Sequence, residues 1–511
     1  MSRLEKTIKN AKIGVLFHVV FVFVQFFSRK IFLDGLGDTF IGTTATLQSF
    51  LGFLNLAELG IGTAIGFTLY KPIFEKNYTE INHIITFVGN LYKKIGLFII
   101  GAALLLSAFF PLIFESSTIP LGVIYYAFFT FLLSSLLGYF FNYHLFLLQA
   151  DQKDYVVVKY LQSFTIIKII LQAVFVYFLE SFMIWITLEL LTGILYTYMI
   201  RKKIQKEYPW LHVSLRRNMV NTKFNSYPEL LKKIKQISVH KLGTFVSGGT
   251  DNILIFYFIN AQSVAFFGNY QLVILNIGIL VEKLFAGTKA SVGNLVAENN
   301  DSSIHQVLWE LMALRFFIGG VTVTCITLLI DPFISIWLGD KYILDSTVVL
   351  LFCLIFFIRQ IVQPIESFKQ AYGLYGDTWA PIAEGILNLM ISIVFAQKYG
   401  LAGILMGTNI SIFLIVLVWR PIYVYRYGFK KPIFSFIIGF SKLMLLTFTC
   451  FIGLKYLFTY YIHLEINSLF DFAISCLIVA SITIFIFLAV MYPMSSYFRH
   501  VIARVKNQLI K

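Results

Sequence analysis

Long apolar stretches, separated by short polar turns, follow one another through the whole chain. Each has about 20 residues or more, enough to cross the roughly 30 Å hydrocarbon core of a bilayer as a helix. None shows the alternation of polar and apolar positions that is typical of an outer-membrane barrel strand. The predicted spans are 12–33, 39–69, 81–112, 120–149, 155–179, 181–203, 230–259, 263–291, 304–331, 345–372, 378–398, 400–427, 433–459 and 468–491. The pattern therefore predicts an all-α polytopic membrane protein with 14 transmembrane helices.

Composition excludes a soluble globular chain. Hydrophobic residues make up 58% of the sequence and charged residues 13%, and the mean hydropathy is +0.79. The sequence carries no P-loop, no zinc-ligand spacing and no nucleophile elbow, so we expect neither an enzyme nor a cofactor. All four cysteines lie inside apolar runs, where they are expected to pack as small hydrophobic residues without binding metal: Cys325, Cys353, Cys450 and Cys476.

Positive charge is concentrated in every second turn of the chain. The net charge of +15 could suggest a nucleic acid as partner, but this distribution is typical of a lipid surface instead. Basic residues collect in alternate turns and in the long segment 201–235, whereas the intervening turns hold little beyond Lys30, Lys341 and Lys398. By the positive-inside rule, both termini are predicted to be cytoplasmic. No small-residue cleavage site follows the first apolar run, so that run is expected to be a retained span.

The chain repeats itself weakly at an offset of 223 residues. At this offset Glu75 meets Glu298 in two similar turns, and Asp154 meets Asp377 at the start of two spans. Two six-span halves of this kind are a recognised transporter architecture with a binding site between them. The predicted division is a six-helix N-terminal lobe at 1–203, a basic cytoplasmic linker at 204–229, a six-helix C-terminal lobe at 230–427, and two additional helices with a basic tail at 428–511.

Several predicted spans carry polar residues at helical spacing, so that each set lies along one face. The stripes are His18, Gln25 and Arg29 in the first span, Ser135, Asn142 and Gln149 in the fourth, Thr165, Lys168 and Gln172 in the fifth, Asn269, Asn276 and Lys283 in the eighth, Arg359, Gln363, Glu366 and Gln370 in the tenth, and Glu384, Asn388 and Ser392 in the eleventh. A single Asn, Gln or Ser is explained by an interhelical hydrogen bond. Charged residues in mid-span favour a water-filled cavity instead, so stripes in both halves predict a shared polar lumen.

Four stretches resemble a known family. They are LAELGIG (56–62) with LYKPIFEKNYTEIN (69–82), TDNILIFYFINAQSVAFFGNYQ (250–271), WLGDKY (337–342) and GDTWAPIAEGILNLMISIVFAQKYGLAGILMGTNIS (376–411). Together they resemble the bacterial polysaccharide repeat-unit flippases (Wzx-like), whose superfamily also contains MATE multidrug exporters and the lipid II flippase. The resemblance implies two six-helix lobes in a V, with two extra helices that can shelter a lipid tail.

The same resemblance implies a function. It suggests a carrier that moves undecaprenyl-diphosphate-linked oligosaccharide repeat units across the bacterial inner membrane for a surface polysaccharide such as O-antigen. Transport would proceed by alternating access, driven by an ion gradient or by the membrane potential. The implied partners are the lipid-linked oligosaccharide, membrane lipids and other polysaccharide assembly proteins, with no nucleic acid and with a monomeric carrier.

Two other functions stay open at this point. A MATE-type antiporter of drugs or cations is the nearest alternative. A membrane-embedded polysaccharide polymerase or ligase belongs to a different class, and such enzymes usually present a large extracytoplasmic loop. Every predicted outside turn of this chain is short, which argues against the polymerase.

Candidate site residues follow from the stripes. Cations and hydrogen-bonding side chains suit a diphosphate and sugar hydroxyls, respectively. The substrate-binding candidates are Arg29, Lys168, Lys283, Arg315, Arg359, Gln363, Glu366, Asn269 and Asn276. For a coupling proton or sodium ion the candidates are Glu58, Asp251 and Glu384, although structural ion pairing explains each of them equally well.

Arg359 has two competing interpretations. In one, it pairs with a carboxylate such as Asp251 or Glu384 and only holds helices together. In the other, it meets the diphosphate together with Arg29 and Lys283, while Glu366 keeps the empty cavity open.

Overall fold

The computed structural model describes residues 3–58, 61–212, 248–285, 287–298, 301–462, 464 and 466–509. These residues form helices and turns and contain no β-strand. They divide into two compact units, Met1–Ala265 and Phe266–Lys511. The sequence-based division into two lobes, a linker and an additional C-terminal part stays a prediction.

The first unit is built from ten helices in its described part. They are α1 (Arg3–Leu36), α2 (Asp38–Leu54), α3 (Ile61–Phe74), α4 (Tyr78–Ser107), α5 (Phe110–Ile113), α6 (Leu121–Phe140), α7 (Leu145–Ala150), α8 (Asp154–Leu179), α9 (Phe182–Glu207) and α10 (Asp251–Phe258). A further helix, α11 (Ala261–Leu284), begins in this unit and ends in the second.

The second unit continues with the remaining helices. They are α12 (Thr288–Ala297), α13 (Asp301–Leu338), α14 (Ser346–Ala371), α15 (Trp379–Ile412), α16 (Arg420–Val424), α17 (Phe434–Tyr460), α18 (Leu469–Met494) and α19 (Ser496–Leu509). Two π-helical segments, Phe413–Trp419 and Tyr425–Phe429, flank α16 and make one continuous helical stretch from α15 onwards. The long α13 lies at the centre of this unit and packs against α14, α17, α18 and α19.

Eleven helical segments among the described residues are long and apolar enough to cross a membrane. The chain is a multi-pass membrane protein. Three of the predicted spans have no separate counterpart in this set. The span 39–69 is interrupted by a 3₁₀ turn at Asn55–Glu58, and residues 230–247 of the span 230–259 lie outside the described residues. The spans 378–398 and 400–427 fall in the single segment Trp379–Phe429, although the backbone at Gly400 between them is not helical. The count of 14 spans therefore stays a prediction.

The interruption at Asn55 has a physical cause in the neighbouring helix. The Asn55 Oδ1 atom accepts hydrogen bonds from Ser135 Oγ at 3.2 Å and from Tyr139 OH at 3.1 Å. An amide in an apolar environment needs such partners, because an unpaired polar group is costly there. Hydropathy alone does not reveal this break, since apart from Glu58 the residues next to Asn55 are apolar.

Side-chain caps fix the starts of several spans. Asn77 accepts from the backbone N–H of Glu80 at 3.0 Å at the start of α4, and Asp345 accepts from Thr347 N at 2.7 Å at the start of α14. Ser468 caps α18 in the same way. Each cap satisfies one of the backbone donors that a helix leaves unpaired at its N-terminus.

The predicted internal repeat recurs in the helix starts. The helices α2 and α11 begin at Asp38 and Ala261, and α4 and α13 begin at Tyr78 and Asp301, so both pairs lie 223 residues apart. This is the offset that the turns around Glu75 and Glu298 predict.

A reversal at Gly400 turns the two arms of α15 into an antiparallel hairpin. Gly400 has φ 54° and ψ −127°, a backbone conformation that residues with a side chain rarely adopt. The arms are joined by hydrogen bonds from Asn388 Nδ2 to Thr408 Oγ1 at 2.8 Å and from Ser392 Oγ to the carbonyl of Ile404 at 3.0 Å.

Close packing explains the glycines of this hairpin. A Cβ atom on Gly403 would lie 2.1 Å from the Phe395 carbonyl oxygen, and one on Gly407 would lie 2.1 Å from Ser392 Oγ. The small-residue spacing of Gly403 and Gly407 therefore marks a helix contact that admits no side chain.

The chain leaving α9 is fastened to the ends of neighbouring helices. Tyr208 OH donates to Asp151 Oδ2 at 2.9 Å, and Asn82 Nδ2 donates to the Trp210 carbonyl at 3.2 Å. Burial and the negative charge of Asp151 raise the pKa of Tyr208, so its hydroxyl keeps its proton and remains a donor. These contacts fix the course of the chain up to His212, whose backbone N–H donates to Asn82 Oδ1 at 3.0 Å.

Candidate functional site

A polar cavity of about 520 Å³ lies within the first unit, between α6, α7, α8 and α9. Its polar lining residues are Ser134, Ser135, Asn142, Gln149, Thr165, Lys168, Glu189, Thr192, Tyr196 and Thr197. The rest of the wall is apolar and includes Phe164 and Gly193. The cavity has a size at which proteins bind small ligands, roughly 300–1,000 Å³.

Two predicted stripes meet at this cavity. Ser135, Asn142 and Gln149 all line it, although the chain leaves helical conformation between α6 and α7. Thr165 and Lys168 line it from α8. Members of both stripes therefore border the same cavity.

Gln172, the third member of the α8 stripe, serves a different purpose. Its side chain is buried, and Gln172 Nε2 donates to the Trp185 carbonyl at 2.9 Å. This contact is the interhelical hydrogen bond that explains a single mid-span amide.

An ion pair forms part of the cavity wall. Lys168 Nζ lies 2.9 Å from Glu189 Oε1 and 2.8 Å from Glu189 Oε2, and the two side chains are 20% and 22% exposed. Among the described residues that line the cavity, these two are the only ones with a charge. The cavity wall is therefore electrically neutral as a whole.

Sequence reasoning did not select Glu189. The signal was present, because Glu189 lies in mid-span among apolar residues, as Glu58 does. Its partner Lys168 is on another helix, 21 residues earlier, so spacing within one helix cannot connect them.

Hydrogen bonds hold the hydroxyl and amide groups of the cavity wall in place. Asn142 Nδ2 donates to Thr197 Oγ1 at 3.1 Å, and Thr165 Oγ1 donates to the Leu161 carbonyl at 2.8 Å. The Asn142 Oδ1 atom is buried and accepts from no residue in the described part of the chain. A wall with fixed donors and acceptors loses little side-chain entropy when a ligand binds.

In the second unit, Arg420 bridges two of the candidate carboxylates. Arg420 Nη1 donates to Glu366 Oε2 at 3.2 Å, and Arg420 Nη2 donates to Glu384 Oε2 at 3.1 Å. Glu384 thus pairs with Arg420. The Arg359 side chain is exposed. Arg420 itself was missed, because it lies 36 and 54 residues from its two partners.

A second ion pair lies close to this bridge. Lys369 Nζ is 2.7 Å from Asp377 Oδ1 and 2.8 Å from Asp377 Oδ2, and the side chains are 6% and 1% exposed. The ring of Tyr423 lies 5.6 Å from the same ammonium group. This pair joins the end of α14 to the start of α15.

Arg315 is enclosed by neutral and acidic partners. Its Nη1 atom donates to Glu282 Oε1 at 2.7 Å and to Gln360 Oε1 at 2.6 Å, and its guanidinium carbon lies 3.6 Å from the centre of the Phe285 ring. The side chain is buried. These contacts hold α11, α13 and α14 together, so the charge of Arg315 is already compensated.

The other candidates lie in different surroundings. Arg29 donates to the Ala265 carbonyl at 3.0 Å, and Asn276 donates to the Leu272 carbonyl of its own helix at 2.9 Å. Asn269 and Asp251 are buried, whereas Lys283 and Gln363 are half-buried. The side chain of Glu58 lies outside the described residues, although its backbone ends the 3₁₀ turn. Substrate and coupling-ion roles for the whole set stay predictions.

Similarity to solved structures adds to this picture. The chain superimposes on the lipid II flippase MurJ in an inward closed conformation with a TM-score of 0.62 and 15% identity, over 94% of this chain and 99% of that one. The fold is that of MurJ and the MATE transporters. An inward-facing multidrug resistance MATE transporter of the MOP superfamily gives 0.57 at 15% identity, over 82% of this chain and 98% of that one. An outward-facing MATE transporter gives 0.52 at 16% identity, over 82% and 95%.

These similarities confirm the predicted fold class of the all-α, MurJ- and MATE-like type. No family model matches the sequence, and neither does any curated protein. Among the described residues, no group of three His, Cys, Asp or Glu side chains is placed to hold a metal ion.

Proposed function

We propose that this protein flips undecaprenyl-diphosphate-linked oligosaccharide repeat units from the cytoplasmic to the periplasmic leaflet of the bacterial inner membrane. The observation that carries the proposal is the neutral, hydroxyl-rich cavity inside a membrane-spanning unit. Polar groups in a bilayer are expensive unless they face water or a polar cargo. The fold supports the same proposal, because one protein that shares it is a lipid II flippase.

Alternating access is the proposed mechanism, with both termini in the cytoplasm. The membrane potential favours the proposed direction, because an inside-negative potential drives an anion outwards by about 2.3 kcal/mol per charge per 100 mV. A proton or sodium ion is the proposed coupling ion, with Asp251 and Glu58 as candidates. Glu384 is a third candidate, and its ion pair with Arg420 would have to open for it to act.

A MATE-type exporter of hydrophobic cations is the second candidate function. The fold favours it as well, since multidrug MATE transporters share that fold. The two candidates differ in the charge and the chemistry of the cargo.

The test uses the purified full chain in sealed proteoliposomes. A lipid-linked oligosaccharide is supplied in the outer leaflet. The fraction that a glycosidase added outside can still cleave is then measured over time. We expect transfer that depends on the protein, and we expect no accumulation of a fluorescent hydrophobic cation. Uptake of the cation without transfer of the lipid would move the protein to the exporter class. In cells, lipid-linked single units that accumulate on the outer face after loss of the protein would indicate a polymerase.

A further inference from the structure

The charge balance of the cavity in the first unit determines which part of the cargo it can take. Lys168 is its only cation among the described lining residues, and both carboxylate oxygens of Glu189 already contact the ammonium group. An anion entering here would have to displace Glu189 and leave a largely buried carboxylate without its partner, which is strongly unfavourable.

We propose that this cavity binds a neutral glycosyl residue of the cargo and that the diphosphate binds elsewhere. The inference rests on the proposed function and deepens it. It also changes the role expected for Lys168. Instead of meeting the diphosphate, Lys168 and Glu189 together offer a donor and an acceptor to sugar hydroxyls.

The remaining polar groups match such a ligand. A sugar hydroxyl is both a donor and an acceptor, and so are the side chains of Ser134, Gln149, Thr165 and Asn142. The Asn142 Oδ1 atom is an acceptor that no described residue satisfies. A hydroxyl of a ligand would supply the missing donor and so remove the penalty of a buried, unpaired carbonyl.

The apolar part of the wall fits as well. Phe164 and Tyr196 stand beside each other, with ring centres 6.1 Å apart, and both line the cavity. A pyranose ring has polar edges and an apolar C–H face, so it suits a wall that combines hydroxyls with aromatic rings. A diphosphate has no apolar face to place against these rings.

Protection from chemical labelling tests the proposal in the full chain. Thr165→Cys places a thiol in the cavity wall, and a small thiol reagent then labels position 165, with labelling followed by mass spectrometry. The probes are methyl glycosides of neutral hexoses and N-acetylhexosamines on one side and inorganic pyrophosphate on the other. We expect at least one glycoside to slow the labelling, and we expect pyrophosphate to leave the rate unchanged.

Three further variants sharpen the test. Adding Asn142→Leu should lower the affinity for the protective glycoside about tenfold, because one hydrogen bond to the ligand is lost. Adding Thr187→Val is the matched control, because the Thr187 hydroxyl contacts Tyr126 and does not line the cavity. Adding Glu189→Gln leaves the Lys168 charge uncompensated, so pyrophosphate should protect position 165 in that variant alone.

Each outcome supports or overturns the inference. The inference would be overturned if pyrophosphate protected position 165 with Glu189 intact. It would also be overturned if none of the glycosides protected that position. If the lipid-linked oligosaccharide is still transferred in proteoliposomes, that result leaves the proposed function in place. Protection by a glycoside in a protein that transfers no lipid-linked oligosaccharide would support the subsite and overturn flipping instead. Gel-filtration profiles show whether each variant is folded.

Discussion

The two units of the molecule use the polar residues of their spans in different ways. In the first unit, hydroxyls, amides and one ion pair surround a cavity of about 520 Å³. In the second unit, the charges of Arg420, Lys369 and Arg315 are paired with carboxylates on other helices or, for Lys369, in the turn before α15. Two pairs of helix starts lie 223 residues apart along the chain, Asp38 with Ala261 and Tyr78 with Asp301.

This contrast shows what a polar residue in a membrane span indicates. A mid-span charge predicts that a partner or a cavity exists, but it does not tell which of the two. Lys369 has a partner but does not border a cavity, because its side chain and that of Asp377 are almost completely buried. Lys168 has a partner and also borders a cavity. The space beside the charge is what makes the first unit the better candidate for binding.

The largest effect is expected from breaking the buried ion pair of the second unit. Lys369→Ala leaves the Asp377 carboxylate buried without its cation, so the free energy of unfolding should fall by about 3–5 kcal/mol. Thermal unfolding of the purified protein in detergent measures this change. Asp377→Leu combined with Lys369→Met should recover much of the loss, because no charge is then left unpaired. Lys398→Ala removes an exposed lysine of α15 and serves as the control. Equal melting temperatures for Lys369→Ala and Lys398→Ala would contradict the prediction.

A smaller effect is expected from opening the hairpin of α15. Gly407→Ala places a Cβ atom 2.1 Å from Ser392 Oγ and 2.6 Å from the Ser392 backbone nitrogen, so the two arms must separate. Overpacking of this kind costs about 1–3 kcal/mol. Gly101→Ala in α4 is the control, since no atom lies within 4 Å of its added Cβ. The same unfolding measurement applies, and a Gly407→Ala protein as stable as the Gly101→Ala protein would show that the arms can move apart freely.

The smallest effect on stability is expected at Arg359. Its side chain is exposed, so Arg359→Ala should change the free energy of unfolding by less than about 0.5 kcal/mol. We nevertheless expect this variant to lose transport in proteoliposomes, and Arg359→Lys to keep part of it, because lysine retains the charge without the two-pronged donor.

Arg420→Ala provides the contrast with Arg359. It removes the partner of both Glu366 and Glu384, so it should lower the amount of folded protein. If Arg359→Ala lowered the amount of folded protein instead, with normal transport by the remaining molecules, Arg359 would be a structural residue only.

Most of the fold was predictable because it depends on properties that act within one segment. Apolar length indicated most of the spans, and Ser135, Asn142 and Gln149, which were grouped by their spacing of seven residues, border one cavity. The break at Asn55 was not predictable, since it depends on hydroxyls from α6 that lie 80 and 84 residues away. The ion pair between Glu384 and Arg420 likewise depends on how separate helices are rotated against each other. No local pattern in the sequence indicates that rotation.

The candidate site was predictable to a smaller extent. Five of the ten polar residues that line the cavity belong to predicted stripes: Ser135, Asn142, Gln149, Thr165 and Lys168. The others were not selected, and they include Glu189, which neutralises Lys168 from a helix with no predicted stripe. Assigning Lys168 to a diphosphate treated it as an isolated cation. An ion pair between helices changes the charge that a ligand meets, and only the three-dimensional arrangement reveals it.

The single-residue reversal at Gly400 has a consequence for biogenesis. The segment Trp379–Phe429 is helical on both sides of Gly400. No loop separates the two arms that could remain in water if one arm inserted before the other. The hydrogen bond from Asn388 Nδ2 to Thr408 Oγ1 also forms only when both arms are present. We therefore expect the two arms to leave the insertion machinery together as one helical hairpin, already paired when they first meet the lipid.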